Sequence, residues 1–334
     1  VADFPYLWIF GNGGAGYYGT YTGDTFLISG AGCVFGGGVS DYDSVTSIDL
    51  SNQSLTTDFI NVLSKFNNLV TFNAANNLIN TIEATETNII NIGVADNNIT
   101  NISLPVSIEN LTIQNNQLSS IDTTNLNNAD DFNLSNNQLS SIDLSDMINS
   151  TVFRINDNFL SSLSVINNNE LIILEASRNN ISLFQRADLN NLTGLFLVDN
   201  NLTSIDTSAL NNLTNLSISL NQLTTVDFTD LIRVVTVNLH FNNLTSITNL
   251  ANAVNLVTLN VFDNLNLASV NIASNTLLTT VRTYNCALSA ATNSALLVQL
   301  DTHGLNNGYF QSSIFGGGSL TAAGATAKAN LQGK

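Results

Sequence analysis

The sequence predicts an α/β solenoid, a right-handed coil with a parallel β-sheet along its concave face, and three observations predict it. An asparagine recurs every 21 residues, at Asn116, Asn137, Asn158, Asn179, Asn200, Asn221 and Asn242. Apolar residues keep register with it: in the unit Ile108–Leu118 they fill positions 1, 4, 6 and 11, with asparagine at 9. The pattern runs without a gap from Ile108 to Leu244. A period of this length marks a solenoid, in which each unit buries its apolar face only against its neighbours. About 12 repeats, mostly of 21 residues and capped at both ends, are expected.

Residues 1–44 differ from the rest, alternating glycine with aromatics. Phe4, Tyr6, Trp8 and Phe10 have the period of a strand with one buried face. Two readings follow: a β cap over the first repeat, or an arm that docks on a neighbouring subunit with those four aromatics as anchors. The glycines make no phosphate loop, since Gly11-x-Gly13 is not followed by a Gly-Lys-Ser/Thr run. The solenoid is assigned to residues 45–288. Its first unit, from Val45, carries Gln53 where asparagine is due. Phe59, Ile60, Leu63 and Phe66 then fall at helical spacing, which predicts a short helix within Thr57–Asn68. Asn77 and Asn97 occupy the key position of the next units, and Asn264 follows Asn242 in a unit one residue longer. Cys286 takes the position in the last unit.

The fit to L-x-x-L-x-L-x-x-N-x-L makes the chain resemble the leucine-rich repeat family. Within a unit, positions 3–5 form a short strand that pairs in parallel with the next at roughly 4.8 Å. Side chains at 4 and 6 point inward, while 3, 5, 7 and 8 face the concave side or its rim. The chain then turns with its backbone buried, and an amide at position 9 both donates and accepts there. The ladder Asn77, Asn97, Asn116, Asn137, Asn158, Asn179, Asn200, Asn221, Asn242 and Asn264 is therefore read as structural. Twenty-one residues leave little room for a helix on the far side, so extended or 3₁₀ segments are expected there. The aspartates that align there, Asp122 with Asp143 and Asp206 with Asp227, are read as turn-stabilising, because calcium requires about six to eight oxygens.

Residues 289–334 read as a closing helix–strand–helix cap. Leu296, Leu297 and Leu300 face inward in the first helix, Gly304 stops it, and Ser319 or Thr321 caps the second. The segment from Leu300 to Lys334 resembles the closing segment of leucine-rich repeat domains in bacteriophage virion proteins and Bacteroidetes surface proteins. That resemblance implies a chain continuing beyond Lys334, and Val1 in place of methionine implies processing or a longer parent chain.

Composition narrows the function. A net charge of −17 with eight lysines and arginines argues against nucleic acid and anionic membrane as partners. No run approaches the roughly 18 apolar residues of a membrane span. Cys33 and Cys286 lie at opposite ends of the coil, beyond the ~7 Å reach of a disulfide. His240 and His303 are isolated, and no Ser–His–Asp, HExxH or CxxC arrangement occurs. The expectation is a protein without enzymatic activity, cofactor or metal.

Side chains on the concave face change along the chain. Early units place Asn73, Ala75, Thr112, Gln114, Asn133 and Ser135 there; later ones place Phe196, Val198, Leu220, His240, Phe241, Phe262 and Tyr284, with Arg154, Glu175 and Arg178 bordering them. Either this is an apolar binding patch, or Leu220, Phe241 and Phe262 curl over the rim to cover the turn. The binding reading takes a protein or glycan of a cell surface as partner, with neighbouring subunits as a further possibility. The resemblance places the protein outside the cell, on a virion or on a bacterial surface.

Overall fold

The computed structural model describes residues 46–56, 63–85, 87–187, 189–304, 308–313 and 319–332, and the backbone of four strands before them, Trp8–Phe10, Gly16–Tyr18, Phe26–Leu27 and Val34–Gly36. The fold is a parallel β-solenoid of about 11 turns with ~21-residue spacing. It comprises two compact units, residues 1–168 and 169–334.

In the first unit, Trp8–Phe10 pairs antiparallel with Gly16–Tyr18 on one side and Val34–Gly36 on the other. Phe26–Leu27 instead joins the solenoid, pairing in parallel with Ser47–Asp49. Strands Thr71–Asn73, Asn91–Gly93, Asn110–Thr112, Asp131–Asn133 and Val152–Arg154 continue the sheet in parallel. Each strand is three residues long and occupies positions 3–5 of its repeat. Register is in phase, Leu111 facing Phe132 and Phe132 facing Phe153, so like positions stack in columns. Positions 1, 4, 6 and 11 are fully buried, as Ile108, Leu111, Ile113 and Leu118 illustrate. Full burial of such side chains stabilises by about 1.5–3 kcal/mol each before chain entropy is counted. Phe4 and Tyr6 lie outside the described residues, as does Cys33. Of the helix expected within Thr57–Asn68, Leu63–Lys65 is a single 3₁₀ turn and residues 57–62 lie outside the description. Phe66 ends that turn by donating its amide to Leu63 O, which leaves no continuing α ladder after Lys65.

The second unit repeats the scheme with strands Ile173–Glu175, Gly194–Phe196, Asn215–Ser217, Thr236–Asn238, Thr258–Asn260 and Thr280–Thr283. Its far side is extended or tightly turned. Thr225–Asp227 pairs with Ser246–Thr248 there, and Leu213 and Leu256 close i→i−3 turns on Leu210 O and Ala253 O. Helix α1 (Ala290–Thr302) starts at Ser289, whose hydroxyl accepts the Thr292 amide, and buries Leu296, Leu297 and Leu300. Gly304 follows it at φ +70°, a conformation glycine adopts without strain. Strand Tyr309–Ser312 pairs in parallel with Thr280–Thr283. Helix α2 (Ala322–Gln332) is capped by Thr321, which accepts the Gly324 amide. Gly324 is needed for close approach, since a Cβ there would lie 2.5 Å from Ser294. No helix among the described residues is long and apolar enough to cross a membrane.

Candidate recognition surface

Position 9 sets the frame on which the surface is hung. Each ladder asparagine is buried, and within each compact unit such an amide ties two successive repeats. Asn116 donates to Ile113 O (3.1 Å) and Gln114 O (3.3 Å) in its own turn, and to Val94 O (3.0 Å) one repeat back. Its Oδ1 accepts the Ile99 amide at 2.8 Å. Asn97, Asn137, Asn200, Asn221, Asn242 and Asn264 make the same two kinds of contact. Cys286 differs for a local reason. In the longer preceding repeat, Leu267 turns its amide onto Asn264 O (3.0 Å), so no acceptor is required at position 9. A donor suffices, and the thiol supplies it to Val261 O at 3.1 Å. Burial pushes that thiol up to about 11, the opposite of an activated nucleophile.

Position 8, beside the ladder, carries a feature that sequence reasoning missed. Asn76, Asp96, Asn115, Asn136, Asp157, Arg178, Asp199, Leu220, Phe241, Asp263 and Asn285 all have φ between 52° and 60°. Asparagine and aspartate tolerate this left-handed conformation better than other L residues. They also link up: Asn115 donates to Asp96 (2.7 Å), Asn136 to Asn115 (2.7 Å) and Asn285 to Asp263 (2.8 Å). Leu220 and Phe241 hold the same backbone without those advantages. The recurring Asn/Asp at position 8 was the available signal, hidden by its place next to the ladder asparagine.

The structure brings four of the proposed patch residues together. His240, Phe262 and Tyr284 line the position 7 column with ring centroids 4.4 Å apart at each step, Phe262 and Tyr284 stacked at 13° and His240 tilted 48° to Phe262. Phe241 meets the edges of His240 and Phe262 at 5.6 Å. Leu220 and Phe241 are exposed at 44% and 47%, so neither is buried against the turn. Arg282 caps the end of the group over Tyr309, 4.8 Å from the ring centroid. Val198 is half-buried in the same column as His240. Phe196 makes no ring contact among the described residues. It folds back on its own strand, where a Cβ on Gly194 would lie 2.8 Å from its ring. Arg154 belongs to the first unit and is paired with Asp131 at 2.5 Å. Arg178 stands in the position 8 column.

His240 is half-buried, and its Nδ1 has no hydrogen-bond partner. Burial lowers its pKa from the ordinary 6.5, against the opposing pull of Asp263. A histidine depressed in the fold contributes stability that is present above 6.5 and lost as pH falls through the lower folded value. Melting temperature should therefore fall as pH drops below the ordinary 6.5, and His240→Phe should flatten that part of the profile. A drop of unchanged size in the variant would clear His240 of the effect.

On the far side, Asp122, Asp143, Asp206 and Asp227 each accept the amide two residues on. Hydrogen bonds from Thr124 hold Asp122 below the usual carboxylate range, and those from Ser145 do the same for Asp143. Asp206 is bridged at 3.2 Å by Arg186, a side chain 4% exposed that also donates to Asp206 O and Ser208 O. Arg186 was not singled out from the sequence, because one arginine at the end of a short strand carries no periodic signal. No group of three metal-ligating side chains exists among the described residues.

No family model matches the sequence, and no curated protein does. Solved structures do resemble the fold. The functional domain of InlJ from Listeria monocytogenes, which includes a cysteine ladder, superposes with a TM-score of 0.65 at 21% identity, covering 82% of this chain and 64% of that one. The present chain thus spans less than two thirds of that relative. The internalin InlF of Listeria monocytogenes gives 0.56 at 20% identity, covering 77% and 85%. A chain of the octameric complex of Latrophilin 3, Unc5D and the leucine-rich repeat of FLRT2 gives 0.60 at 17% identity, covering 84% and 86%. At these identities the likeness speaks for architecture, and the architecture is that of the leucine-rich repeat proteins.

Proposed function

We propose that the chain is a non-catalytic recognition module that binds a protein or glycan of a cell surface through the sheet face of residues 169–334. The observation that carries this reading is the contiguous group His240, Phe241, Phe262 and Tyr284, standing on a face whose strands otherwise present Thr236, Asn238 and Thr258. Partly exposed aromatics in contact across successive repeats make an apolar patch on this face. Phe196, Val198 and Leu220 extend the binding face, with Arg178 at its border. The neighbour in the Latrophilin 3–Unc5D–FLRT2 complex comes from an assembly of proteins, which favours a protein partner.

The closing segment's resemblance favours display on a phage virion or fibre. The likeness to internalins favours a bacterial surface adhesin as the second reading. A subunit of an extracellular assembly, joined through Phe4, Tyr6, Trp8 and Phe10, is the third. Peptide mass spectrometry of density-purified particles, run beside the host envelope fraction, separates them. Stoichiometric copies in particles are expected; enrichment in the envelope without particle signal would overturn the virion reading. Deleting residues 1–38 disperses an assembly subunit but leaves an adhesin folded and binding. Purified protein should also be retained on intact host cells. Alanine at Phe196, Phe262 and Tyr284 should abolish that retention, and undiminished retention would remove the patch from the account.

A further inference from the structure

The left-handed column carries more than the aromatic group beside it. From Asp199 through Leu220 and Phe241 to Asp263, successive backbones are bonded repeat to repeat: Leu220 donates to His240 O (3.0 Å), Asn200 to Leu220 O (3.2 Å) and Asn221 to Phe241 O (3.2 Å). With roughly 4.8 Å per repeat, the two aspartates stand about 14 Å apart and bracket the apolar pair. Asp199 is exposed, with no side-chain hydrogen bond or ion pair among the described residues. Among the described residues the Asp263 carboxylate receives only the Asn285 side-chain amide. Leu220 and Phe241 occupy a backbone that bulky L residues rarely adopt, at φ 56° and 53°, and about half of each side chain lies in solvent. Every other residue of the column except Arg178 is asparagine or aspartate. Strained, exposed apolar residues in a column that otherwise suits its backbone point to selection for contact and not for folding.

We infer that Asp199, Leu220, Phe241 and Asp263 form a reading stripe for an extended protein segment with an apolar side chain set between two basic ones. The charge pattern picks this occupant: carboxylates at both ends of an apolar step complement basic–apolar–basic, and the net charge of −17 speeds approach of a cationic partner. In an extended chain, side chains on one face recur every second residue at about 3.4 Å per residue, so basic residues at i and i+4 span about 14 Å with the apolar residue at i+2. The inference rests on the reading of this face as a binding surface, and narrows it to one partner chemistry.

The probe is the peptide Lys-Ser-Leu-Ser-Lys, displayed as single copies at high density on beads beside the rearranged Lys-Lys-Ser-Leu-Ser and the reversed-charge Glu-Ser-Leu-Ser-Glu. The spaced basic peptide is expected to retain the protein at least tenfold better than the rearranged one, which has equal charge. Leu220→Asn should lose that preference and melt above the parent, while Asp199→Asn with Asp263→Asn should lose it and melt near the parent. Equal retention on the spaced and rearranged peptides overturns the inference, as does a Leu220→Asn variant that melts below the parent. Retention on a neutral oligosaccharide array that is lost with Phe262→Ala and Tyr284→Ala, together with indifference to all three peptides, overturns the stripe and leaves the recognition face standing. Failure of cells, peptides and oligosaccharides alike overturns both.

Discussion

Replacing Asn221 with alanine is expected to cost about 3 kcal/mol, measured by urea unfolding. The side chain accepts the Leu202 amide at 2.9 Å and donates to Leu197 O at 2.9 Å, Ser219 O at 3.1 Å and Ile218 O at 3.3 Å. These contacts are not equivalent. Leu197 O also receives Asn200, and Ile218 O also receives Asn242, so both carbonyls keep a partner in the variant. The Leu202 amide has only Asn221, and its loss strands a buried donor at about 1–3 kcal/mol, to which the lost hydrogen bonds add. The carbonyls are doubly served and the amide is not, so an acceptor at position 9 matters more than a donor. Asn221→Cys, which restores only a donor, should recover little of the loss. Recovery to near parental stability would show that the acceptor is dispensable, against the contrast drawn with Cys286.

Phe132→Ala is expected to cost about 3–5 kcal/mol, the range for emptying a fully enclosed aromatic site. Phe132 faces Leu111 on one strand and Phe153 on the other, and both phenylalanines are wholly buried. The solenoid cannot collapse into such a void without shifting the in-phase register of neighbouring repeats. Phe153→Ala alone should behave alike. The double variant should cost measurably less or more than the sum, since the two sites share one space. A loss below about 1 kcal/mol for Phe132→Ala would mean that the repeats relax around the site.

What the sequence revealed follows from period. Residues repeated every 21 positions, such as Leu111, Phe132 and Phe153 at position 4 or Asn116, Asn137 and Asn158 at position 9, disclose both their column and its environment. Features set by one repeat alone left no such trace. The cradle of Gly194 for Phe196 and the Arg186 clamp on Asp206 each occur once. Asn168 and Asn275, wholly buried, bridge Leu144 O to Met147 O and Leu250 O to Ala253 O, as a far-side counterpart of the ladder. They recur too irregularly to stand out. The aromatic group was legible as a set of face positions. The departure of Phe196 from it was not, because a ring's direction on the sheet depends on the small neighbour beneath it.

The most direct test of the central claim, that the aromatic group serves contact and not the fold, is thermal unfolding of Phe262→Ala/Tyr284→Ala beside Asn221→Ala. The two rings stack at 4.4 Å but remain half-exposed, so the loss should be limited to stacking and partial burial. The double variant is expected to melt much closer to the parent than Asn221→Ala does. A fall as deep as that of Asn221→Ala would place the aromatic group in the core and contradict the account.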